Sequence, residues 1–346
     1  MDIVVIRCSA SAMVGFGHLV RCRVLAEALS KRGYGVVMVG PPTSLKNEAD
    51  EDIFIEWIPR ENWSSSQGEA DFHLSVLERY DSKHIIIDDY RSDGEHQTKL
   101  REKDIKIVQQ YDASKKQNFA ANLVVNGSPY EKSEFYSKDV LYDDVEFLLG
   151  PKYCILRPIF FSPTLKENHK EKKILMTFGG GSDRGAILYI LKKCYQSITE
   201  KHWKLTIIVS DKNENIKEIS DWISLNGHQN IELIVNPDSM AEIMSTCRFA
   251  IIGGGTTIFE AAYLGIPALL VPIADNQINQ CVGWDELGGM KYISTFDTLD
   301  ESNLKDNLVK FLSEPSLVKA YSQRLKTIID EHGYRRILDK LLDHER

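Results

Sequence analysis

Short runs of β-branched and other apolar residues alternate with longer amphipathic segments along the chain, and this alternation restricts the fold more than any other feature. The first strand is predicted at Ile3–Ile6, an amphipathic helix at His18–Lys31 and a second strand at Val36–Val39. Such alternation is typical of an α/β fold, in which crossover helices connect the strands of a parallel sheet. Further strands are predicted at His84–Ile87, Ile105–Val108, Leu123–Val125, Ile174–Phe178, Leu205–Val209, Ile231–Ile234, Phe249–Ile252 and Ala268–Val271.

The alternation stops in the middle of the chain and then starts again. Ser162–Lys173 is charged and lacks apolar periodicity, so we predict a linker there. A chain of 346 residues is long enough for two domains with a core each. We predict a Rossmann-like domain over 1–160 and a second one over 172–346, facing each other across a cleft. The helical pattern at Leu317–Leu342, with a possible break at Gly333, is expected to pack back on the first domain.

Charge and composition exclude several classes of protein. The chain has 42 Lys and Arg against 50 Asp and Glu and no basic block, so a nucleic-acid partner is not expected. The apolar start is interrupted by Arg7, and the longest apolar stretch, Ile258–Ala274, contains Glu260 and two prolines. We expect neither a secretory signal nor stable membrane insertion. The 6 cysteines are scattered without a CxxC pair, which is typical of reduced thiols in a cytoplasmic protein.

Gly15 and Gly17 form a turn directly before the helix predicted from His18. Glycines let the backbone approach a ligand closely, and a helix N-terminus offers free N–H groups to an anion. The positive end of the helix disfavours imidazolium, so we expect a lowered pKa and a neutral, basic His18. The alternative is a tight turn with a chance histidine. A nicotinamide-binding motif is excluded, because Val20 replaces its third glycine and the second strand ends without a carboxylate.

Two glycine turns in the second half are candidates for binding phosphate. Phe178–Asp183 follows a strand and could form a backbone nest, although a plain flexible turn is an equally good interpretation. Gly253–Thr257 places three glycines and two hydroxyls at a helix start, which suits a pyrophosphate. Glu260 could then accept hydrogen bonds from ribose hydroxyls. The alternative is a capping box, with Thr257 as the N-cap and Glu260 three residues later.

Polar residues also follow two of the predicted strands. Asn276 and Gln277 come after a buried strand, where amides can bind sugar hydroxyls, although a simple polar loop would have the same sequence. Tyr90 follows the adjacent Asp88 and Asp89 at another strand end. Because successive strand side chains point apart, we expect Tyr90 and one aspartate to face the cleft, without a metal.

Together these motifs resemble GT-B nucleotide-sugar enzymes. More narrowly, the chain resembles the UDP-2,4-diacetamido-2,4,6-trideoxy-β-L-altropyranose hydrolases of pseudaminic acid biosynthesis and the related spore-coat polysaccharide proteins. It departs from their pattern at Ser9, where an aspartate is expected, and around Arg184, where the turn has an extra glycine and lacks an asparagine. The similar stretches are Ile6–Arg7, Gly15–Cys22 (GFGHLVRC), Ile87–Tyr90 (IDDY), Val125–Tyr130 (VNGSPY), Leu149–Pro158 (LGPKYCILRP), Gly253–Ala261 (GGGTTIFEA), Leu264–Pro267 (LGIP) and Asp275–Gln277 (DNQ).

The resemblance implies a GT-B-like fold and a metal-independent hydrolase without a cofactor. Its substrate would be a UDP-linked 2,4-diacetamido-2,4,6-trideoxy sugar, cleaved to UDP and free sugar in nonulosonic (pseudaminic) acid or surface-polysaccharide biosynthesis. The expected partner is this small molecule, bound by a monomer. The resemblance implies catalytic roles for His18, Tyr90 and Asn276. Substrate binding is expected at Gly15, Gly17, Gly180, Gly181, Gly254, Gly255, Thr256, Thr257, Glu260 and Gln277.

Two other functions stay open. In a GT-B glycosyltransferase for a surface polysaccharide, a carbohydrate hydroxyl would attack the nucleotide sugar in place of water. Fold likeness alone does not choose between these reactions. The first half of the sequence shows no evident apolar or basic patch for a lipid-linked acceptor, which favours hydrolysis. A non-catalytic nucleotide-sugar binder would have no use for His18 on the glycine turn.

Overall fold

The computed structural model describes residues 1–10, 16–112, 117–132, 139–167, 170–226 and 229–342. The chain divides into two compact units. Unit 1 comprises Met1–Arg157 together with Glu331–Arg346, and unit 2 comprises Pro158–Asp330. Within the described ranges, no helix combines the length and the apolar character that crossing a membrane requires.

Unit 1 is built on a sheet whose strands are β1 (Ile3–Cys8), β2 (Gly35–Gly40), β3 (Glu56–Pro59), β4 (His84–Asp88), β5 (Lys106–Gln110), β6 (Leu123–Asn126) and β7 (Glu146–Leu149). The seven strands are parallel and lie in the order β3-β2-β1-β4-β5-β6-β7. In the register, Val5 pairs with Val37 on one side and with Ile85 on the other. These central strands are buried on both faces, which is why their sequences are nearly continuous apolar runs.

Unit 2 is built on a second parallel sheet, with strands β8 (Lys173–Thr177), β9 (Lys204–Val209), β10 (Ile231–Val235), β11 (Phe249–Ile252), β12 (Ala268–Leu270) and β13 (Lys291–Tyr292). Their order is β10-β9-β8-β11-β12-β13. Counted along the chain, this is the same order as that of the first six strands of unit 1. Both sheets are therefore doubly wound, and the predicted α/β class of two Rossmann-like folds is confirmed.

The sequence pattern misses β3, β7 and β13. β3 and β7 are edge strands with partly exposed side chains, and β13 is an edge strand of two residues. Edge strands of this kind lack the long apolar run that marks a buried parallel strand.

The helices within the described residues are α1 (Gly17–Lys31), α2 (Glu48–Ile53), α3 (Ser66–Arg79), α4 (Gly94–Arg101), α5 (Pro163–Glu167), α6 (Ala186–Glu200), α7 (Ile216–Asn226), α8 (Met240–Thr246), α9 (Thr257–Tyr263), α10 (Ile278–Glu286), α11 (Glu301–Ser313), α12 (Pro315–Leu325) and α13 (Gly333–Leu342). The segment predicted as a linker thus contains α5, which packs on α8. Leu165 of α5 is buried, but the preceding Thr164 is exposed, and one apolar residue creates no periodicity.

The C-terminal helix α13 belongs to unit 1, where it packs on α1. Leu29 of α1 and Leu341 of α13 are fully buried in the same apolar cluster. Gly333 begins α13, and a Cβ there would lie 2.0 Å from the carbonyl oxygen of Cys154. Glycine permits this close approach of two backbones. The helical pattern at Leu317–Leu342 therefore corresponds to two helices, α12 and α13, the second of which starts at Gly333.

The strand order reverses beside the first strand of each sheet. In unit 1 this point lies between β1 and β4, and in unit 2 between β8 and β11. Ligands of doubly wound sheets bind outside the carboxyl ends of the strands at such a point. In unit 1 the two ends are joined by a hydrogen bond of 3.0 Å from the Ser9 N–H to the carbonyl oxygen of Asp88. The candidate site is built at these ends.

Candidate functional site

His18 lies in the first turn of α1, and its imidazole is bonded to the end of β4. Nδ1 is 2.7 Å from Oδ1 of Asp88 and 3.3 Å from the carbonyl oxygen of the same residue. His18 is 7 % exposed and Asp88 is fully buried. Because both groups facing Nδ1 are acceptors, Nδ1 carries the proton, and in the neutral imidazole Nε2 carries the lone pair. The pairing therefore selects the tautomer in which Nε2 is the basic atom.

Asp88 is held in turn by Arg21, one turn further along α1. Nε and Nη2 of Arg21 donate to the two oxygens of Asp88 at 2.5 and 2.6 Å, and Nη1 donates to Oδ2 of Asp112 at 2.6 Å. The hydroxyl of Tyr90 donates to the other oxygen of Asp112. The Tyr90 ring packs edge-on against the imidazole of His18, with the ring centroids 4.8 Å apart. We call His18, Arg21, Asp88, Tyr90 and Asp112 the His18 network.

Charge pairing in the His18 network outweighs the cost of burial. Burial favours neutral His18, but the adjacent Asp88 carboxylate raises the pKa of His18 above its ordinary value. Burial likewise opposes ionisation of Asp88 and Asp112, yet the Arg21 guanidinium holds the pKa of both carboxyls below the usual range. Burial and the nearby Asp112 raise the pKa of Tyr90, so its hydroxyl stays protonated.

The expected lowering of the His18 pKa is therefore wrong. The partial charge of a helix N-terminus is about half an elementary charge spread over several N–H groups. Asp88 places a whole charge 2.7 Å from Nδ1. The carboxylate dominates, and the residue becomes a stronger base than the helix position alone indicates.

Asp89 points away from His18, as the alternation of strand side chains predicts. It accepts two bonds from Arg7, at 3.0 and 2.9 Å, and is bonded to both Nε and Nη2 of Arg91 at 2.9 and 2.8 Å. Asp89 and Arg7 are fully buried. Both aspartates of the Ile87–Tyr90 motif are thus engaged in ion pairs, one on each side of the strand end.

A cavity of about 220 Å³ lies beside this ion cluster, at the carboxyl ends of β1, β2 and β4. Its lining includes Ser9, where the resembling family has an aspartate, and Tyr90 of the His18 network. The departure at Ser9 therefore alters the wall of a cavity that shares Tyr90 with the His18 network. Arg60, also in the lining, is paired with the buried Glu69 at 2.8 Å.

In unit 2, the turn after β8 is anchored by a buried aspartate. Asp183 accepts from the side-chain amides of Asn213 and Asn215 at 3.1 and 2.7 Å, and from the backbone N–H of Ile187 at 2.9 Å. Gly180 and Gly181 precede it, and a Cβ at either position would meet nothing within 4 Å. The backbone of this turn is thus open to a ligand while its end is fixed.

The glycine turn after β11 is held by Gln277. The Gln277 Oε1 accepts from the N–H groups of Gly254 and Ile273, each at 3.1 Å. A Cβ at Gly254 would lie 2.7 Å from Gln277, whereas Gly255 is open. Gln277 therefore has a structural contact in addition to its predicted role in substrate binding. Asn276 is exposed in the short turn before α10.

The capping box considered for α9 is not formed. Thr256, not Thr257, occupies the N-cap position, and its side chain makes no capping hydrogen bond. Thr257 is the first residue of the helix, and Glu260 is buried one turn later. The capping interpretation of Thr257 and Glu260 is therefore wrong.

The predicted site residues are divided between the two units. His18 and Tyr90 are in contact in unit 1, where Gly17 begins α1, while Gly15 lies outside the described residues. The predicted residues of unit 2 lie on the two glycine turns, on α9 and in the turn before α10. Among the described side chains, no group of three or more His, Cys, Asp or Glu is placed to hold a metal ion.

Sequence reasoning missed Arg21 and Asp112. Arg21 lies three residues after His18 on one helix, so the two side chains share a face. Asp112 follows the end of β5, which is the neighbour of β4 in the sheet. Helix spacing and strand order were therefore the signals that could have identified them.

Residues 174–331 match the glycosyltransferase family 28 C-terminal domain. The chain is also similar to curated proteins along most of its length. It is 22 % identical to the spore coat polysaccharide biosynthesis protein SpsG of Bacillus subtilis, over 95 % of this chain and 94 % of that protein. It is 24 % identical to the UDP-2,4-diacetamido-2,4,6-trideoxy-beta-L-altropyranose hydrolase of Campylobacter jejuni, over 75 % of this chain and 88 % of that protein.

A third relative is the Helicobacter pylori protein named pseudaminic acid cytidylyltransferase and UDP-2,4-diacetamido-2,4,6-trideoxy-beta-L-altropyranose hydrolase. The identity is 26 % over 84 % of this chain and 48 % of that protein. The chain thus spans about half the length of this relative, and 54 % of an uncharacterized Methanocaldococcus jannaschii protein that it also matches.

Two solved structures share the fold at low sequence identity. MurG of Acinetobacter baumannii matches with a TM-score of 0.69 and 14 % identity, over 99 % of both chains. The S. aureus MnaA-UDP co-structure matches with a TM-score of 0.65 and 14 % identity, over 100 % of this chain and 99 % of that one. The chain is therefore similar to the altropyranose hydrolases and to SpsG, has a GT-B-like fold, and matches the glycosyltransferase family 28 C-terminal domain over residues 174–331.

Proposed function

We propose that the protein hydrolyses a UDP-linked 2,4-diacetamido-2,4,6-trideoxy sugar to UDP and the free sugar, in nonulosonic (pseudaminic) acid or surface-polysaccharide biosynthesis. The relatives named as altropyranose hydrolases support the substrate class. The observation that carries the reaction type is the bond between His18 and Asp88, 2.7 Å long, at the carboxyl end of β4. It leaves Nε2 as a base where a doubly wound sheet binds its ligand.

In this reaction His18 activates water. Nε2 takes a proton from a water molecule while the oxygen of this water attacks the anomeric carbon. The bond from that carbon to the diphosphate oxygen breaks. The electron pair of this bond leaves with UDP. Asp88 accepts the Nδ1–H bond throughout and stabilises the imidazolium that forms. We assign Tyr90, whose ring packs on the imidazole, to orienting the sugar, and we assign Asn276 to a sugar contact.

We assign the nucleotide to unit 2, which carries the family 28 match. The open backbone at Gly180, Gly181 and Gly255 allows N–H groups to approach the diphosphate. Glu260, which is buried one turn into α9, is assigned to the ribose hydroxyls. Thr256 and Thr257 supply hydroxyl donors, and Gly254 and Gln277 shape the turn.

The second candidate is a GT-B glycosyltransferase that uses a nucleotide-sugar donor for a surface polysaccharide. The match of residues 174–331 to a glycosyltransferase family favours this alternative. The same histidine would then take the proton of a carbohydrate hydroxyl. The two functions differ in what attacks the anomeric carbon, so the acceptor distinguishes them.

The test is UDP release from a panel of UDP-sugars without any acceptor. Release that is strong in the wild type and about 10²–10⁴-fold slower in His18→Asn supports the hydrolase. Release that needs an added glycan identifies the transferase. Binding of UDP-sugars without turnover in either assay rejects both. Unchanged rates in EDTA would support the proposed metal independence, and a rate restored by added Mg²⁺ would contradict it.

A further inference from the structure

Two arginines on α1 each pair with a buried aspartate, but on different sides of the helix. Arg21 holds Asp88 and Asp112, and Arg23 holds Asp50 at 2.8 and 2.6 Å. Residues two apart in sequence are rotated by about 200° around the helix axis, so their side chains lie on nearly opposite faces. Arg21 therefore faces the carboxylate that is bonded to His18, and Arg23 faces Asp50, the third residue of α2, which forms a capping box with Asn47.

Arg21 fixes both oxygens of the Asp88 carboxylate. Oδ1 accepts from His18 and from Nη2 of Arg21, and Oδ2 accepts from Nε of Arg21. The Cys22 thiol lies 3.7 Å from Oδ2. A carboxylate held in this bidentate way cannot rotate about its last bond without losing charge-assisted hydrogen bonds. The plane of Asp88, and with it the direction of the imidazole, is set by Arg21.

Asp112 closes the network on the other side. Its Oδ2 binds Arg21, and its Oδ1 accepts from the hydroxyl of Tyr90, whose ring packs against His18. When the imidazole is neutral, the two carboxylates and the one guanidinium give the network a net charge of about −1. With an imidazolium, the charges of the network balance.

We propose that Arg21 and Asp112 are positioning residues, which hold the His18 imidazole through Asp88 and Tyr90 and supply the negative charge that balances the imidazolium. This inference rests on the proposed role of His18 as the base. Among the described residues, the charged and titratable groups near the imidazole are Arg21 and Cys22 from α1, Asp88 and Tyr90 at the end of β4, and Asp112 after β5; Tyr111 packs on Tyr90.

The test compares Arg21→Lys and Asp112→Asn with the matched control Arg23→Lys, which changes the second buried pair of the same helix. The first readout is the imidazole titration of His18 by NMR, with its signal assigned from its loss in His18→Asn. This readout needs no turnover, so it stands even if the proposed activity fails. The second is UDP release from the most active UDP-sugar of the panel, analysed as kcat and KM against pH. Thermal melts establish that each variant is folded.

We expect Asp112→Asn to move the His18 titration to lower pH, because a negative charge near the imidazole is lost. Arg21→Lys keeps the charge but loses the bidentate grip, so kcat should fall about 10- to 100-fold with little change in KM. Arg23→Lys should match the wild type in both readouts. The proposal fails if the titration is the same in Asp112→Asn and wild type, or if Arg23→Lys moves it equally. A shifted titration without any UDP release would support the network and reject the proposed function alone.

Discussion

Replacing Asp88 by asparagine is the sharpest perturbation of the His18 network, because it removes one charge and keeps the size of the side chain. In the wild type, Asp88 accepts the His18 bond at 2.7 Å and two bonds from Arg21 at 2.5 and 2.6 Å. An amide has one acceptor oxygen and two N–H donors, so it cannot accept all three. Arg21 keeps its bond to Asp112, so its charge stays paired.

The expected loss is large in rate and moderate in stability. Without the carboxylate, the tautomer of His18 is no longer selected and the imidazolium is no longer stabilised, so kcat should fall about 10²–10⁴-fold. KM should change little, because we assign the nucleotide to unit 2. The fold loses charge-assisted bonds in a buried site, which we expect to reduce the free energy of unfolding by about 2–3 kcal/mol.

The pH dependence follows from the direction of the pKa shift. Asp88 raises the pKa of His18 above 6.5 despite burial, so the wild-type rate should rise with pH through this raised value as the imidazole becomes neutral. In Asp88→Asn the rise should move to lower pH. The stability of the fold depends on pH in the opposite direction to the rate. The His18–Asp88 pair stabilises the fold fully below about pH 6.5, and this contribution is lost as the pH rises through the folded-state pKa.

The assay is UDP release across about pH 5–9, together with chemical unfolding at each pH. Asp50→Asn is the matched control, because Asp50 is also a buried aspartate bonded to an arginine of α1. Asp50→Asn should lose stability and keep the wild-type rate profile. A kcat of Asp88→Asn within roughly threefold of the wild type, or an unmoved pH profile, would refute the pairing as the source of basicity.

Three further outcomes are expected. Glu260→Ala should weaken UDP binding by about 1.5–3 kcal/mol in calorimetric titration, because a charge-assisted hydrogen bond to the ribose is lost; unchanged UDP affinity beside a lowered melting temperature would contradict the ribose assignment. Burial lowers the pKa of His73, and lowers that of His96 to about 4. Because both imidazoles stay neutral in the folded protein, the free energy of unfolding should decrease as the pH falls from about 6.5 towards 4. Replacing both histidines by glutamine should remove this decrease in urea unfolding. Gly333→Ala should lower the free energy of unfolding by about 1–3 kcal/mol, because its Cβ would lie 2.0 Å from the Cys154 carbonyl oxygen; an unchanged melt would show that α13 shifts freely.

The fold was accessible from sequence where strands are buried on both faces. Val36–Val39 is predicted as a strand and lies within β2, every residue of which is buried. The prediction failed where burial is partial, as in Glu56–Pro59, because half-exposed edge strands leave no continuous apolar run. The hydrophobic pattern indicates which residues are buried, and it predicts secondary structure only where burial follows the strand or helix period.

The candidate site was accessible only in part, because its electrostatics are not local in sequence. His18 was identified from its glycine turn, and the helix N-terminus predicted a lowered pKa by a rule that uses neighbouring residues alone. The dominant charge comes from Asp88, at the end of a strand 70 residues away in the chain. A whole charge at 2.7 Å exceeds the partial charge of the helix end, so the local rule gives the wrong direction.

Strand order supplies the information that local rules lack. In a doubly wound sheet, the carboxyl ends of β1, β4 and β5 are neighbours, so polar residues that follow these strands converge whatever their separation in the chain. Asp88 ends β4, and Asp112 follows β5 by two residues. Arg21 reaches both from the helix that starts after β1. The network therefore follows from two patterns that the sequence contains: a cation three residues after the histidine, and acids at the ends of adjacent strands.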